Sequence, residues 1–308
     1  MLQGGRSSEH DVSLDSARSV IEGLDPERYD VVPIEIPREG PWLLRPEDAA
    51  GLDVVFPVLH GPFGEDGAVQ GVLELAEVAY VGAGVSASAL AMDKDLFKSV
   101  LRDKDIPVAR SSTFRTGDEA SSQTGFPCVV KPARLGSSVG ISVVNDEEDF
   151  PAAVELAFAH DEKILVEEFL DGVEVECSVL GNADPIASVP GEIVPLASDW
   201  YDYEAKYAEG GMELIVPPRV PGEAAARVQE LAVASFVASE CEGMARVDFF
   251  VRPEGEVVVN ELNTIPGFTA TSVYAKLFEA SGIPYPELLD RLVELALERR
   301  DRRAALRY

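Results

Sequence analysis

The chain has 308 residues, of which 46% are hydrophobic, and a formal net charge of −29. This length is sufficient for two or three compact domains, and the apolar content is enough to fill their cores. So acidic a protein is repelled by nucleic-acid phosphates and by anionic membrane surfaces, which excludes both as expected partners. The three cysteines form no metal-binding pattern, and we find no export signal or membrane-spanning stretch, so we expect a cytoplasmic protein.

Residues 1–83 are predicted to form an open α/β unit that binds a substrate. A glycine-rich turn at 4–9 precedes an amphipathic helix, a buried strand is expected at 53–59, and a helix at 67–79 leads into a short strand. Glu9 and His60 lie in loops that follow strand positions. The carboxyl ends of strands are where open α/β sheets bind ligands, so these two side chains are candidate ligand contacts.

Residues 84–171 are predicted to form an α+β layer. One helix is expected over 86–102, then strands at 128–131, 141–144 and 164–168 with a helix at 147–159. The loop from Lys131 to Gly140 is rich in Gly and Ser, which lets backbone N–H groups approach phosphate oxygens. An ordinary hairpin turn explains the loop equally well when it is considered alone.

Residues 172–308 are predicted to contain strands at 175–180 and 186–190, a helix at 222–240, a β-hairpin at 243–264 and two C-terminal helices. If the hairpin is centred on Glu254-Gly255, Asp248 lies opposite Glu261 and Arg246 opposite Asn263. Directly opposed carboxylates repel each other, and a hard divalent cation such as Mg²⁺ is the simplest compensation. The alternative is a solvated polar face of an edge hairpin.

Four further segments complete a pattern that covers essentially the whole chain. They are Gly4-Gly5-Arg6-Ser7-Ser8-Glu9-His10-Asp11-Val12-Ser13, Leu59-His60-Gly61-Pro62-Phe63-Gly64-Glu65-Asp66-Gly67, Tyr201-Asp202-Tyr203-Glu204-Ala205-Lys206-Tyr207 and Asn263-Thr264-Ile265-Pro266-Gly267-Phe268-Thr269. Together with Lys94, Lys131 and the hairpin, their order resembles the D-alanine:D-alanine ligase family of the ATP-grasp superfamily. The resemblance implies an ATP-grasp fold with an N-terminal open α/β (pre-ATP-grasp) domain, a central subdomain carrying the phosphate loop, and a C-terminal subdomain carrying the metal site.

The resemblance also implies a reaction and its cofactors. ATP phosphorylates the carboxylate of one D-alanine, and the amine of a second D-alanine attacks the acyl phosphate to give D-alanyl-D-alanine for peptidoglycan precursors. Two Mg²⁺ or Mn²⁺ ions would be held by Asp248, Glu261 and Asn263. ATP would be bound by a larger set: Lys94, Lys131, Ser138, Glu167, Glu168, Phe169, Leu170, Glu174 and Lys206.

The implied amino-acid subsites use residues from all three units. Glu9 would pair with the ammonium of the first D-alanine and His60 with its carboxylate, while Ser272 would receive the carboxylate of the second. Arg246 and the Gly267 N–H would stabilise the phosphoryl group and the oxyanion. Ser137 would link Glu9 to Tyr207 as a loop closes. Considered singly, such residues are explained as turns, caps or first-turn acids.

Two other activities are compatible with the pattern. One is a D-alanine:D-lactate ligase, which the Tyr201–Tyr207 segment disfavours, and the other is a catalytically weak nucleotide-binding protein. The second is motivated by the start of the chain, because only Met1-Leu2-Gln3 precede Gly4-Gly5 where the family has a full apolar strand. A short first strand is expected to weaken the Glu9 loop. The family further implies a homodimer and inhibition by D-cycloserine.

Overall fold

The computed structural model describes residues 1–39, 51–136, 139–196, 211–269 and 271–307. The first unit contains β1 (Leu2–Gly4), α1 (His10–Gly23), β2 (Ile34–Ile36), β3 (Val54–Val55), α2 (Ala68–Leu75) and β4 (Ala79–Tyr80). β1 pairs in parallel with β2 and β3 with β4, and a single bridge joins Leu2 to Pro57. The strand expected over 53–59 is therefore only two residues long as a regular strand, although residues 55–61 are all buried.

The second unit contains α3 (Val85–Met92), α4 (Lys94–Asp103), β5 (Ser111–Arg115), β6 (Cys128–Pro132), β7 (Ser142–Val144), α5 (Phe150–Phe158) and β8 (Lys163–Glu168). Its antiparallel sheet has the order β5-β8-β6-β7. The prediction of one helix over 86–102 is wrong, because Asp93 separates two helices. Asp93 has an extended backbone, and its side chain accepts a hydrogen bond from the Leu96 N–H, so it caps α4.

The third unit contains β9 (Val173–Gly181), β10 (Ile186–Ala187), β11 (Gly191–Pro195), β12 (Met212–Ile215), α6 (Gly222–Ala238), β13 (Gly243–Val251), β14 (Val257–Asn263), α7 (Val273–Ala280) and α8 (Tyr285–Ala304). The sheet runs β12-β11-β9-β13-β14, with β10 on β9 beside β11. The strand expected over 186–190 is thus limited to two residues. The mixed α/β architecture agrees with the fold class predicted from the sequence.

The hydrophobic cores cross the boundaries between these units. Apolar residues of α1 and of 56–58 pack in one core with α7, α8 and the start of β13. A second core joins α3 and α4 to α6 and the strands β9, β13 and β14. The four-stranded sheet and α5 have a core of their own. Within the described residues, no helix combines the length and apolar character needed to cross a bilayer.

Candidate active site

A cavity of about 550 Å³ is lined by residues from both antiparallel sheets. β6, β7 and β8 contribute one wall, and residues from β9, β11 and β14 contribute the other. Eight of the predicted site residues line it: Lys94, Lys131, Glu167, Glu168, Phe169, Leu170, Glu174 and Glu261. The cavity therefore brings together side chains of the second and third units.

Glu167 lies between two lysines in the wall of this cavity. Its Oε1 is 2.5 Å from Lys98 Nζ, and its Oε2 is 2.7 Å from Lys131 Nζ. Burial would raise the pKa of Glu167, but the charges of Lys131 and Lys98 outweigh burial and lower that pKa to about 2. The sequence analysis missed Lys98; its spacing of four residues from Lys94, one helical turn away, was the available signal.

The last residue of β8, Glu168, is held by an arginine. Arg110 donates to both carboxylate oxygens of Glu168, from its backbone N–H at 2.9 Å and from Nε and Nη2 at 3.0 and 2.9 Å. Burial raises the pKa of Glu168, but the hydrogen bonds from Arg110 lower it by more. The pKa of Glu168 therefore lies below its usual value. The Glu168 carboxylate is therefore occupied by Arg110.

The hairpin of β13 and β14 has the register predicted at its functional end. Asp248 pairs with Glu261 and Arg246 with Asn263. Nearer the turn Phe249 pairs with Val259, so Asn260 is the extra residue of a β-bulge. The bulge places Glu261 directly opposite Asp248, and the Asn260 side chain accepts from Lys131 Nζ at 3.4 Å.

The pairing of β9 with β13 adds a third carboxylate to this row. Asp248 pairs with Glu176 on one side and with Glu261 on the other, so three carboxylates cross three adjacent strands. Arg246 compensates two of them. Its Nε lies 2.7 Å from Asp248 Oδ1 and 2.9 Å from Glu176 Oε2, and its Nη2 donates to Asp248 Oδ2 at 2.7 Å. Glu176, which is 1% exposed, was missed by the sequence analysis, which considered only the hairpin.

The other end of the row is compensated by lysine. Lys94 Nζ lies 3.3 Å from Glu261 Oε2 and donates to the Leu135 carbonyl at 2.9 Å, while Asn263 Nδ2 donates to Asp248 at 2.9 Å. Among the described residues, no three His, Cys, Asp or Glu side chains are arranged to hold a metal ion. Asp248, Glu261 and the Asn263 amide oxygen nevertheless fit Mg²⁺ chemically, because Mg²⁺ binds through one or two carboxylates plus substrate phosphates.

The predicted D-alanine contacts of the first unit lie close together. Glu9 precedes α1, and a Cβ built on Gly61 would lie 3.2 Å from Glu9 Oε2. His60 is 5% exposed; its Nδ1 lies 3.1 Å from the Ile265 carbonyl and its Nε2 lies 3.4 Å from Ser16 Oγ. Burial lowers the pKa of His60 while the Glu9 charge opposes that shift. The pKa of His60 remains below its usual value, so neutral imidazole is favoured unless a further anion lies beside the ring.

A second pair of predicted substrate contacts lies at the start of α7. Ser272 occupies the N-cap position, but its Oγ bonds no helix N–H; it accepts from the Thr269 N–H at 3.0 Å and lies 2.7 Å from Thr269 Oγ1. A Cβ on Gly267 would lie 3.2 Å from Ser272 Oγ. The turn therefore holds the Ser272 hydroxyl beside the Gly267 backbone.

A narrow gap of about 30 Å³ borders the nucleotide cavity and is lined by Lys94, Glu261, Asn263 and Glu65. Glu65 is half-buried and accepts from the Gly61 N–H at 3.0 Å. Burial, and then the Glu9 charge, raise the pKa of Glu65 to about 8. Because Lys94 and Glu261 line both spaces, the gap links the cavity to the side on which the Gly61 turn lies.

Four predicted site residues lie outside the described residues: Ser137, Ser138, Lys206 and Tyr207. Their roles, and the proposed link from Glu9 through Ser137 to Tyr207, remain predictions.

Comparison with known families gives matches over both ends of the chain. A model of the D-ala D-ala ligase C-terminus matches residues 99–294, and a model of the D-ala D-ala ligase N-terminus matches residues 1–51 and 44–83. The chain belongs to the D-alanine–D-alanine ligase family. It is therefore an enzyme of the ligase class with an ATP-grasp fold.

Individual relatives of this ligase family cover almost the whole chain. The D-alanine--D-alanine ligase A of Mesorhizobium japonicum is 48% identical, over 97% of each chain. The D-alanine--D-alanine ligase of Solibacter usitatus is also 48% identical, over 100% of this chain and 98% of its own.

Solved structures of the family are equally similar in fold. The D-alanine-D-alanine ligase of Coxiella burnetii has a TM-score of 0.86 and 37% identity, covering 98% of this chain and 94% of its own. The VanG D-Ala:D-Ser ligase of Enterococcus faecalis has a TM-score of 0.87 and 37% identity, covering 96% and 98%. A Bacillus anthracis D-alanine--D-Alanine ligase complexed with ATP has a TM-score of 0.83 and 30% identity, covering 98% of each chain.

Proposed function

We propose that the chain joins two D-alanine molecules to D-alanyl-D-alanine through an acyl phosphate, with release of ADP and phosphate, for the synthesis of peptidoglycan precursors in the cytoplasm. The observation that carries this proposal is the continuity of the site. A nucleotide-sized cavity with Lys94 and Lys131 in its wall meets a row of carboxylates at Glu261. The adjoining gap is lined by Glu65, which accepts from the N–H of Gly61, the residue beside His60 and Glu9.

The nucleotide is bound by two kinds of group, lysine side chains for the phosphates and main-chain groups for the adenine. Lys94 and Lys131 bind phosphates as point charges. The backbone of 168–170 and the Glu167 side chain bind adenine, and Glu174 accepts hydrogen bonds from the ribose hydroxyls. This division is supported by the lining of the cavity, which contains Lys94 and Lys131 together with the whole of the segment 168–174.

The metal-binding half uses Asp248, Glu261 and Asn263, which would hold two Mg²⁺ or Mn²⁺ ions. Bound divalent ions would neutralise charge on the transferring phosphoryl group. In this structure Asp248 is hydrogen-bonded to Arg246, and Glu261 lies beside Lys94. To bind a metal ion, each carboxylate would have to give up its contact with that cation. Arg246, which also contacts Glu176, would then hold the phosphoryl oxygens and the oxyanion together with the Gly267 N–H.

The amino-acid half orients the two D-alanines. Glu9 pairs with the ammonium of the first and His60 with its carboxylate, which is the anion that would stabilise a charged His60. Ser272 binds the carboxylate of the second D-alanine. Ser137 and Tyr207 link loop closure to substrate binding, and Lys206 and Ser138 add donors to the phosphates. D-Cycloserine is expected to compete with D-alanine, and the enzyme is expected to be a homodimer.

A second candidate concerns the amino acid that attacks. The similarity to a D-Ala:D-Ser ligase is as high as that to the Coxiella burnetii ligase, at 37% identity for both. D-Serine is therefore the first competitor to test. D-Lactate is not favoured, since the curated relatives compared above are dipeptide ligases.

The test is an assay of purified protein with ATP, Mg²⁺ and D-alanine. Phosphate release should depend on D-alanine, mass spectrometry should identify D-alanyl-D-alanine, and chelation should stop both. Equal mixtures of D-alanine with D-serine or with D-lactate should still give mainly D-alanyl-D-alanine at neutral pH. The absence of D-alanine-dependent phosphate release from folded protein would refute the proposal, whereas a mixed product would revise only the second subsite.

A further inference from the structure

Lys98 is the largest fully buried basic side chain described in the fold, and it lies behind the nucleotide cavity without lining it. It is on α4, one turn after Lys94, and its side chain is 0% exposed. Its Nζ lies 2.5 Å from Glu167 Oε1. The other oxygen of the same carboxylate lies 2.7 Å from Lys131 Nζ. One carboxylate therefore bridges a lysine inside the cavity wall and a lysine behind it.

The trio formed by Lys98, Glu167 and Lys131 carries a different net charge from a simple ion pair. If Glu167 contacted Lys131 alone, a buried carboxylate would cancel most of the charge that Lys131 offers to a phosphate. With Lys98 on its second oxygen, Glu167 is shared by two cations and the trio keeps one net positive charge. Charges in a buried setting interact strongly, because water screens them little. The position of Lys98 therefore controls how cationic the cavity wall is.

Lys98 also restricts where Lys131 can point. Because each oxygen of Glu167 contacts a different lysine, the carboxylate is held between α4 and β6. Lys131 Nζ also donates to Asn260 Oδ1 on β14 at 3.4 Å. The Lys131 ammonium is thus tethered from both sheets. A carboxylate free on one side would rotate and take Lys131 with it.

We infer that Lys98 is a positioning residue for nucleotide binding: by sharing the Glu167 carboxylate, it leaves the Lys131 charge available to the phosphates and aims it into the cavity. The inference deepens the proposed function and rests on it, because it takes the phosphates of ATP as the ligand of Lys131. Lys98 itself touches no substrate.

Burial of a lysine is unfavourable, which argues against packing as its only role. Burial lowers the pKa of Lys98 to about 8, against the opposing effect of Glu167. An apolar side chain would fill the same space without this desolvation cost, and replacing buried ion pairs by apolar groups is often neutral or stabilising.

Lys163 provides a matched control on the same sheet. Its side chain is 4% exposed, and its Nζ lies 2.6 Å from Asp93 and 3.3 Å from Asp95. It is not among the residues that line the nucleotide cavity. Lys163→Met therefore removes a buried lysine from an ion-paired cluster of the same kind without altering Lys131.

The experiment measures binding of a non-hydrolysable ATP analogue with Mg²⁺ by calorimetry, and stability by urea denaturation, for the wild type, Lys98→Met, Lys98→Arg and Lys163→Met. We expect Lys98→Met to weaken analogue binding by about tenfold or more, and Lys98→Arg to recover part of that loss. Lys163→Met should lose stability but lose clearly less analogue affinity than Lys98→Met, because it affects Lys94 only through the flanking Asp93 and Asp95.

A double variant separates charge from folding. Because Glu167 is also assigned to adenine, Lys98→Met combined with Glu167→Gln is compared with Glu167→Gln alone. With no carboxylate left to neutralise Lys131, adding Lys98→Met should then change analogue affinity by less than about twofold. Should Lys98→Met alone fail to fold, a loss of about tenfold or more in this comparison, or in Lys98→Arg against the wild type, would overturn the inference. Equal analogue affinity in wild type and Lys98→Met, or equal losses in Lys98→Met and Lys163→Met, would overturn the inference. A wild type that binds no analogue would instead refute the proposed function itself.

Discussion

Neutralising Glu176 should impair the chemical step while leaving substrate binding largely intact. Glu176→Gln keeps the shape of the side chain and removes the charge that lies 2.9 Å from Arg246 Nε. The two side chains are 1% and 16% exposed, so water screens their interaction weakly. An interaction between charged groups in such a setting contributes about 2 kcal/mol. We expect the Glu176–Arg246 interaction to hold Arg246 in place once Asp248 binds a metal ion. Its loss in Glu176→Gln should then lower kcat about 30-fold.

The assay is steady-state kinetics for ATP and for D-alanine, with urea denaturation of the same preparations. KM values should change by less than about threefold, because an interaction made in the transition state is lost from kcat. Glu176→Asp restores a carboxylate and should recover part of kcat. A kcat within about twofold of wild type in Glu176→Gln would refute the reasoning. A fall in kcat that follows only the loss of folded protein would refute it too.

Three further outcomes are expected. The folded-state pKa of Glu167, about 2 against a usual 4.5, predicts stability that is present above pH 4.5 and lost as the pH falls toward 2; urea denaturation should show a loss of about 3 kcal/mol there, absent in Glu167→Gln. Arg299→Met removes a buried guanidinium that donates to the Gly82 and Tyr80 carbonyls, and should cost about 3 kcal/mol of unfolding free energy with kcat unchanged; a cost under about 1 kcal/mol would contradict this. Glu261→Ala should abolish turnover and weaken Mn²⁺ binding with an ATP analogue in electron paramagnetic resonance, and near-normal activity would exclude the hairpin as the metal site.

The hairpin shows how far local pattern determines a site. Its turn residues and its alternation of apolar side chains predicted that Asp248 faces Glu261, and this pairing is confirmed. Near the turn the pairs are displaced by one residue, and the bulge at Asn260 restores the expected register. The run Val257-Val258-Val259 is apolar on both faces, so it carries no signal for the bulge.

Other features depend on contacts between distant segments, and the sequence could not reveal them. The helical periodicity continues through Asp93, yet the break there is stabilised by a buried ion pair with Lys163, a residue 70 positions away. Lys98 and Glu176 would normally be assigned to solvent, because charged side chains are rarely fully buried. Only the packing of α4 against β8, and of β9 against β13, places their partners beside them.

The core shared by the two ends of the chain has a consequence for biosynthesis. α1 packs against α8, and Arg28 forms ion pairs with Asp290 and Glu294, so this helix meets a partner that is synthesised 262 residues later. Until α8 emerges, the apolar face of α1 lacks part of its cover, and exposed apolar surface of this kind is prone to aggregation. The core around α1 is therefore complete only once α8 has been synthesised, so the stability of the N-terminal unit is coupled to the C-terminal helix.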